Sequence, residues 1–253
     1  VTNLPPSVPD RWSALRATTP ARIGLPRAGQ GLALPEVLAL QLAHAKARDA
    51  VHAALDVAGL RLALGRPSLL AESAASSRDI YLRRPDLGRR LSDRATMALS
   101  EATTGTTDLV IVLADGLSAT AVHASGASLA VLIADGVAAA GLTLAPLVIA
   151  TQARVALGDG IAAALKARAV LMLIGERPGL SAVDSLGAYF THLPRPGISA
   201  DADRNCISNI RAGGLPLDAA AARIRWLVGE ARKRGASGVA LKDESALEAL
   251  PKI

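Results

Sequence analysis

Residues 108–116, DLVIVLADG, constrain the fold of this chain more than any other stretch. A short, unbroken apolar run with β-branched residues, ended by Asp115-Gly116, is the pattern of a strand buried on both faces. PLVIA (146–150) and AVLMLIG (169–175) repeat the pattern, and GVALKD (238–243) reads as a late strand. Between them lie an Ala-rich helical segment over 118–140 and a second helix, DGIAAALKA. Strands alternating with helices predict an α/β fold, a Rossmann-like parallel sheet with helices on both faces. In such folds ligands bind at the carboxyl ends of the strands. Here those ends are Asp115, the TQARVALGD loop and GERPG.

The N-terminal part reads differently. Residues 1–34 contain Pro5, Pro6, Pro9, Pro20 and Pro26 with little apolar periodicity, which predicts an extended arm crossing a surface. From Pro35, PEVLALQLAHAKARDAVHAALDVAG opens with Pro in a first helical turn and predicts one long helix ending at Gly59. Residues 60–105 predict helical pieces and loops. The expected organisation is therefore an N-terminal arm and helical region over 1–105, contacting a partner, and an α/β ligand-binding domain over 106–253. Near the end of that domain, Leu217, Ala221, Ile224, Val228 and Ala231 share one stripe of a helix and are expected to face the sheet. Trp226 lies about half a turn away at roughly 100° per residue, so it is expected to face outward, toward a partner.

Composition removes several function classes. With 253 residues, 51% of them hydrophobic, the chain can bury a substantial core. Its apolar runs stop well short of the roughly 18 residues a membrane span needs, so no membrane segment is expected. The first residues, VTNLPPSVPDRW, lack a secretory pattern, and a cytoplasmic location is expected. One cysteine leaves no disulfide framework and no Cys-rich zinc site. A net charge of +6 would permit nucleic-acid binding, but the basic residues are scattered and five aromatics offer no stacking platform. No nucleic-acid partner is expected.

Chemistry-bearing motifs are mostly missing. No G-x-G-x-x-G follows the first strand, which disfavours a nucleotide-dependent oxidoreductase on a similar sheet. The stretch from Gly24 to Gly29 has P-loop glycine spacing but carries Gln30 where Lys is required. His44, His52, His123 and His192 show no metal-ligand spacing, and no G-x-S-x-G elbow is present, so no protein-held metal and no catalytic residue set is expected. A scaffold without a ligand remains the third alternative.

Against these absences stand ARIGLPRAGQ, HAKARDAVH, DLVIVLADGLSA, GERPGL, DSLGAY, PRPG, RNCISNI and GVALKD. In order and spacing, over roughly residues 20–243, they resemble the small subunit of ethanolamine ammonia-lyase. The resemblance implies a lyase dependent on adenosylcobalamin, which turns ethanolamine into acetaldehyde and ammonia by a radical mechanism. It implies a large catalytic subunit built on a β/α barrel, in a heterododecamer of six large and six small subunits. The small subunit would cover the lower side of the cofactor at the interface. Because none of the four histidines lies in D-x-H-x-x-G, the cofactor is expected to bind base-on, with its own benzimidazole kept on cobalt. Related small subunits can carry an amphipathic helix that directs them into a bacterial microcompartment. The Pro-rich start of this chain departs from that pattern.

Carried over motif by motif, the family's corrinoid contacts fall on Val155 in ARVALGD, Glu176 in GERPG and Cys206 in RNCISNI. Each has a plainer reading. Val155 could be a core residue at a helix start, Glu176 could pair with Arg177 or sit in solvent, and Cys206 could be an inert buried thiol. Arg177, Pro178 and Gly179 are expected to shape their loop.

Overall fold

The computed structural model describes residues 12–103 and 105–245. Six strands form one sheet: β1 (Ser68–Glu72), β2 (Val110–Ala114), β3 (Leu147–Thr151), β4 (Ala169–Gly175), β5 (Leu186–His192) and β6 (Arg204–Ile210). Their spatial order is β1-β3-β2-β4-β5-β6. The first four strands run parallel, and β5 and β6 add antiparallel on the β4 side. Every residue of β2 and β4 is buried, as their unbroken apolar sequences require. The α/β fold with a mostly parallel sheet is the one read from the sequence.

Helices cover both faces. On one side α2 (Val57–Leu64), α5 (Ala119–Ala139) and α7 (Leu217–Arg234) share a core with Ile111, Leu113, Ile149 and Leu171. On the other, α4 (Asp93–Ala102) and α6 (Leu157–Ala164) pack on Val110, Val112, Val148, Val170 and Met172. The alternation of these strand residues between the two cores is the two-residue period of a strand. Helix α5 is the one described helix long and apolar enough to cross a membrane, yet Leu129, Ala130, Ile133 and Ala134 bury it in the core.

Several local expectations are corrected. The long helix expected over 35–59 is two helices: α1 (Leu34–His52) and α2, joined through an extended Ala53. The break is held from both sides, because the Asp56 carboxylate accepts the Gly59 N–H at 2.9 Å and His123 Nε2 accepts the Asp56 N–H at 2.9 Å. Asp56 is thus an N-cap, which is worth about 1 kcal/mol, and it overrides the helical propensity around it. Gly59 lies in the first turn of α2 and stops nothing.

GVALKD is not a strand. Asn205 accepts the Gly238 N–H at 2.8 Å and donates to the Leu241 carbonyl at 2.7 Å, winding Gly238–Ala240 into a 3-10 turn. LGAYFTH and RNCISNI, which were not among the strands read from the sequence, are β5 and β6. SLLAE supplies the β1 edge, so the sheet takes one strand from before residue 105.

Helix α7 turns Ala221, Ile224, Val228 and Ala231 to the core as expected, whereas Trp226 is half-buried against the same core with its indole N–H enclosed. Its outward orientation is therefore corrected. Of the arm, residues 1–11 lie outside the described residues. The rest forms one helical turn (Ser13–Arg16) and a small hairpin, Arg27–Ala28 with Gly31–Leu32, and between the two it reaches the loop after β4. There Arg22 donates to the Leu180 carbonyl at 3.2 Å and the Ser181 hydroxyl to Pro20 at 3.4 Å.

Candidate functional site

The chain leaves β2 toward β3 on one side and then returns across β2 to place β4 on the other. The loops after β2 and β4 therefore diverge, and the space between them is the topological switch point where open α/β sheets take ligands. Two glycines bring these loops together. Gly116 adopts φ +53°, a Cβ there would collide with the Gly175 carbonyl, and a Cβ at Gly175 would collide with the Ser118 carbonyl. The Leu117 N–H completes the contact by donating to the Gly175 carbonyl at 2.9 Å.

Asp115 organises the third loop. Its buried carboxylate accepts the N–H groups of Gln152 at 2.8 Å and Ala153 at 3.0 Å, which holds Gln152 in the left-handed region at φ +52°. Arg78 from α3 (Arg78–Arg83) stands 3.5 Å from the same carboxylate and donates to the carbonyls of Val51 and Gly116. Burial pushes the Asp115 carboxyl upward, against the opposing pull of those two N–H groups and of Arg78.

Beside this network Tyr81 is fully buried, and its hydroxyl donates to the Ala153 carbonyl at 3.0 Å. The guanidinium groups of Arg78 and Arg154 lie 4.7 and 4.4 Å from its ring centre. Desolvation drives the Tyr81 hydroxyl to about 12, so it stays a neutral donor.

A cavity of about 430 Å³ opens above these groups, lined by Tyr81, Arg154, Val155, Glu176, Arg177 and Tyr189 among others. Glu176 follows β4 and is half-buried. Its Oε2 accepts from the Ser185 hydroxyl and from the Asn209 N–H, while no hydrogen bond reaches Oε1 among the described residues. The carboxylate is fixed in place with one oxygen open. Cys206 stands across from Tyr189 in the β5–β6 ladder, which brings its thiol near the Tyr189 hydroxyl. The residue is exposed at the edge strand, yet local desolvation and then the Glu176 charge push the thiol above its ordinary range despite the opposing pull of that hydroxyl. It is a neutral thiol, unsuited to act as a nucleophile.

Of the three residues singled out in the sequence, two share this cavity and the third stands outside its lining. Val155 and Glu176 line it, and Cys206 is paired with Tyr189 on its wall. Sequence reasoning missed Tyr81, Arg154 and Tyr189. Arg154 and Tyr189 were in view, within ARVALGD and DSLGAY, but Tyr81 lies 72 residues from its partner Ala153 and carried no local signal.

One motif pair has a structural cause. Arg204 of RNCISNI grips Asp159 of ARVALGD through two hydrogen bonds of 2.8 and 2.7 Å, with both side chains almost wholly buried. This pair locks β6 to the start of α6 and so fixes Cys206 relative to Val155. None of the four histidines lines the cavity; His192 lines another, of about 230 Å³, at the amino ends of β2 and β4 with Asp108, Arg168, Phe190 and Arg232.

The family model for the ethanolamine ammonia-lyase light chain matches residues 9–242. The ethanolamine ammonia-lyase small subunit of Xanthomonas campestris pv. campestris is 53% identical over 242 residues, covering 93% of this chain and 89% of that protein. The small subunit from Pseudomonas putida is 51% identical over 251 residues, covering 97% and 92%. That from Ralstonia nicotianae is 50% identical over 245 residues, covering 94% and 90%.

Proposed function

This chain belongs to the ethanolamine ammonia-lyase light-chain family, and from that premise we propose that it is the cofactor-holding small subunit of an adenosylcobalamin-dependent enzyme. When bound, adenosylcobalamin supplies the radical chemistry that converts ethanolamine into acetaldehyde and ammonia. The small-subunit name of its relatives implies a larger partner. We take that partner to carry the substrate site, in a cytoplasmic heterododecamer of six large and six small subunits, with the N-terminal region facing it.

The observation that carries the reading is that Val155 and Glu176 line one cavity at the switch point, with Cys206 outside its lining but paired across the ladder with Tyr189 on its wall. A corrinoid presents a periphery of neutral amides, and the residues present suit it. Glu176 offers an oriented carboxylate oxygen to an amide N–H, Val155 offers an apolar contact, and the neutral Cys206 thiol adds a small, soft surface. The size also fits a shared site. About 430 Å³ is the volume of a pocket for a drug-sized ligand, less than a corrin with its nucleotide needs, so this chain supplies one wall and the partner the other. Two walls closing on each other also keep water away from reactive species. No histidine of this chain lines the cavity, so its residues would offer cobalt no imidazole in place of the cofactor's own base, and we take the binding to be base-on.

The test is visible absorption of cobalamin mixed with this chain, with the large subunit, and with both, after removal of free cofactor. Colour retained only by the two together supports the reading, as does an electron paramagnetic resonance spectrum of the cobalt(II) complex whose nitrogen splitting does not change when histidine of this chain is labelled with nitrogen-15. Equal retention by the large subunit alone would refute it.

A further inference from the structure

Two nearby arginines are already engaged by acceptors, although Arg78 Nη2 and Arg204 Nε are each enclosed without a partner among the described residues. Arg78 donates to two carbonyls and pairs with Asp115, and Arg204 holds Asp159 through both terminal nitrogens. Arg154 is different. Its side chain makes no hydrogen bond and no ion pair among the described residues, and its Nε is enclosed without a partner. Yet it is not loose. The guanidinium stacks 4.4 Å from the Tyr81 ring centre, and the main-chain N–H of Arg154 donates to the Gly88 carbonyl at 2.8 Å. Gly88 packs so closely that a Cβ there would press on Arg154 Cγ.

A cation held by stacking and packing, with no acceptor, facing a cavity, is preorganised for an anion. Arg177 adds a second positive charge to the same rim. The neutral amides of a corrinoid do not call for an arginine, and the ethanolammonium substrate would be repelled by one. The only anion on the periphery of cobalamin is the phosphodiester that joins the corrin to its nucleotide, and the planar guanidinium fork matches phosphate oxygens. Building on the cobalamin reading, we infer that Arg154 receives this phosphodiester. Arg154 thereby makes the subunit selective for complete cobalamins over corrinoids that lack the nucleotide.

The experiment compares cyanocobalamin with cyanocobinamide, which lacks both phosphodiester and nucleotide, by equilibrium dialysis against the assembled complex. The readout is the ratio of the two affinities within one preparation, which is independent of any inactive fraction. The wild-type complex should prefer cobalamin. In Arg154→Gln, cobalamin affinity should fall roughly tenfold to a hundredfold, the range for a charge-assisted hydrogen bond, while cobinamide affinity stays within about twofold. Arg154→Lys, which keeps the charge but loses the fork, should give an intermediate ratio and decides the matter if the Gln variant does not assemble. A ratio unchanged from wild type in these variants, or an equal loss for both ligands, would overturn the inference while leaving the cobalamin reading intact. A wild-type complex that binds neither ligand would overturn that reading itself.

Discussion

Strand β2 is flanked by two aspartates that live in opposite surroundings. Asp115, at its carboxyl end, is buried among Gln152, Ala153 and Arg78, and burial raises its pKa. Asp108, at its amino end, is only partly buried, and the N–H and hydroxyl of Thr143 at 2.9 and 2.8 Å hold its carboxyl below the ordinary range. The same contrast runs through the two ends of the sheet. At the carboxyl end, polar groups are buried, paired and aimed at an open cavity. At the amino end, a smaller cavity with Phe190, Leu142 and Val228 on its walls is rimmed by the exposed Arg168 and Arg232. Buried polar groups are costly unless satisfied; Asp115 and Ser118 are satisfied at the carboxyl end, as Arg204, Asp159 and Thr191 are toward the amino end of β4, and only the former border the larger cavity's loops.

The largest effect is expected at the Arg204–Asp159 pair. Asp159→Ala strands a buried guanidinium and should destabilise the chain by about 3–5 kcal/mol, measured by urea unfolding followed through tryptophan fluorescence. Arg154→Gln in the same assay should cost no more than about 0.5–1 kcal/mol, because only the stacking on Tyr81 is lost. Equal losses at the two arginines would erase the distinction between a group that holds the fold and one that awaits a ligand.

The two aspartates sharpen the comparison further. For Asp108 the folded pKa is depressed, so its contribution to stability is present above the ordinary carboxylate range and is lost as pH falls through the folded value. The stability difference between wild type and Asp108→Asn should therefore be constant at neutral pH and shrink in acid. For Asp115 the folded pKa is raised, so the sign reverses: its contribution is greatest below the ordinary carboxylate pKa and declines as pH rises through the folded value. Urea unfolding across the acid range should show slopes of opposite sign for Asp108→Asn and Asp115→Asn. Parallel slopes would mean that the two ends do not differ in this respect.

Much of this architecture can be read from the chain. The strands β2, β3 and β4 announce themselves because burial on both faces demands unbroken apolar runs. Edge and near-edge strands do not have to meet that demand. In β6 the Asn205, Cys206, Ser208 and Asn209 positions are polar or open to solvent, and only its ladder with β5 makes it a strand. The break between α1 and α2 escaped notice because its stabilising partner, His123, comes from a distant helix. GVALKD has the composition of a strand, but Asn205 captures its backbone into a turn, a contact no local pattern can reveal. The candidate site divides the same way. Val155, Glu176 and Cys206 could be named from their motifs, whereas Tyr81 and the singular state of Arg154 appear only when the loop after β3 meets α3.

The central claim is that the carboxyl end of the sheet holds the corrinoid and the amino end does not. One titration decides it, with cobalamin binding to the assembled complex measured for Glu176→Ala in one cavity and Arg168→Ala in the other. The account predicts that Glu176→Ala weakens binding by about 1–3 kcal/mol, as loss of a charged hydrogen bond does, and that Arg168→Ala leaves it unchanged. Undiminished binding with Glu176→Ala, or a loss confined to Arg168→Ala, would contradict it.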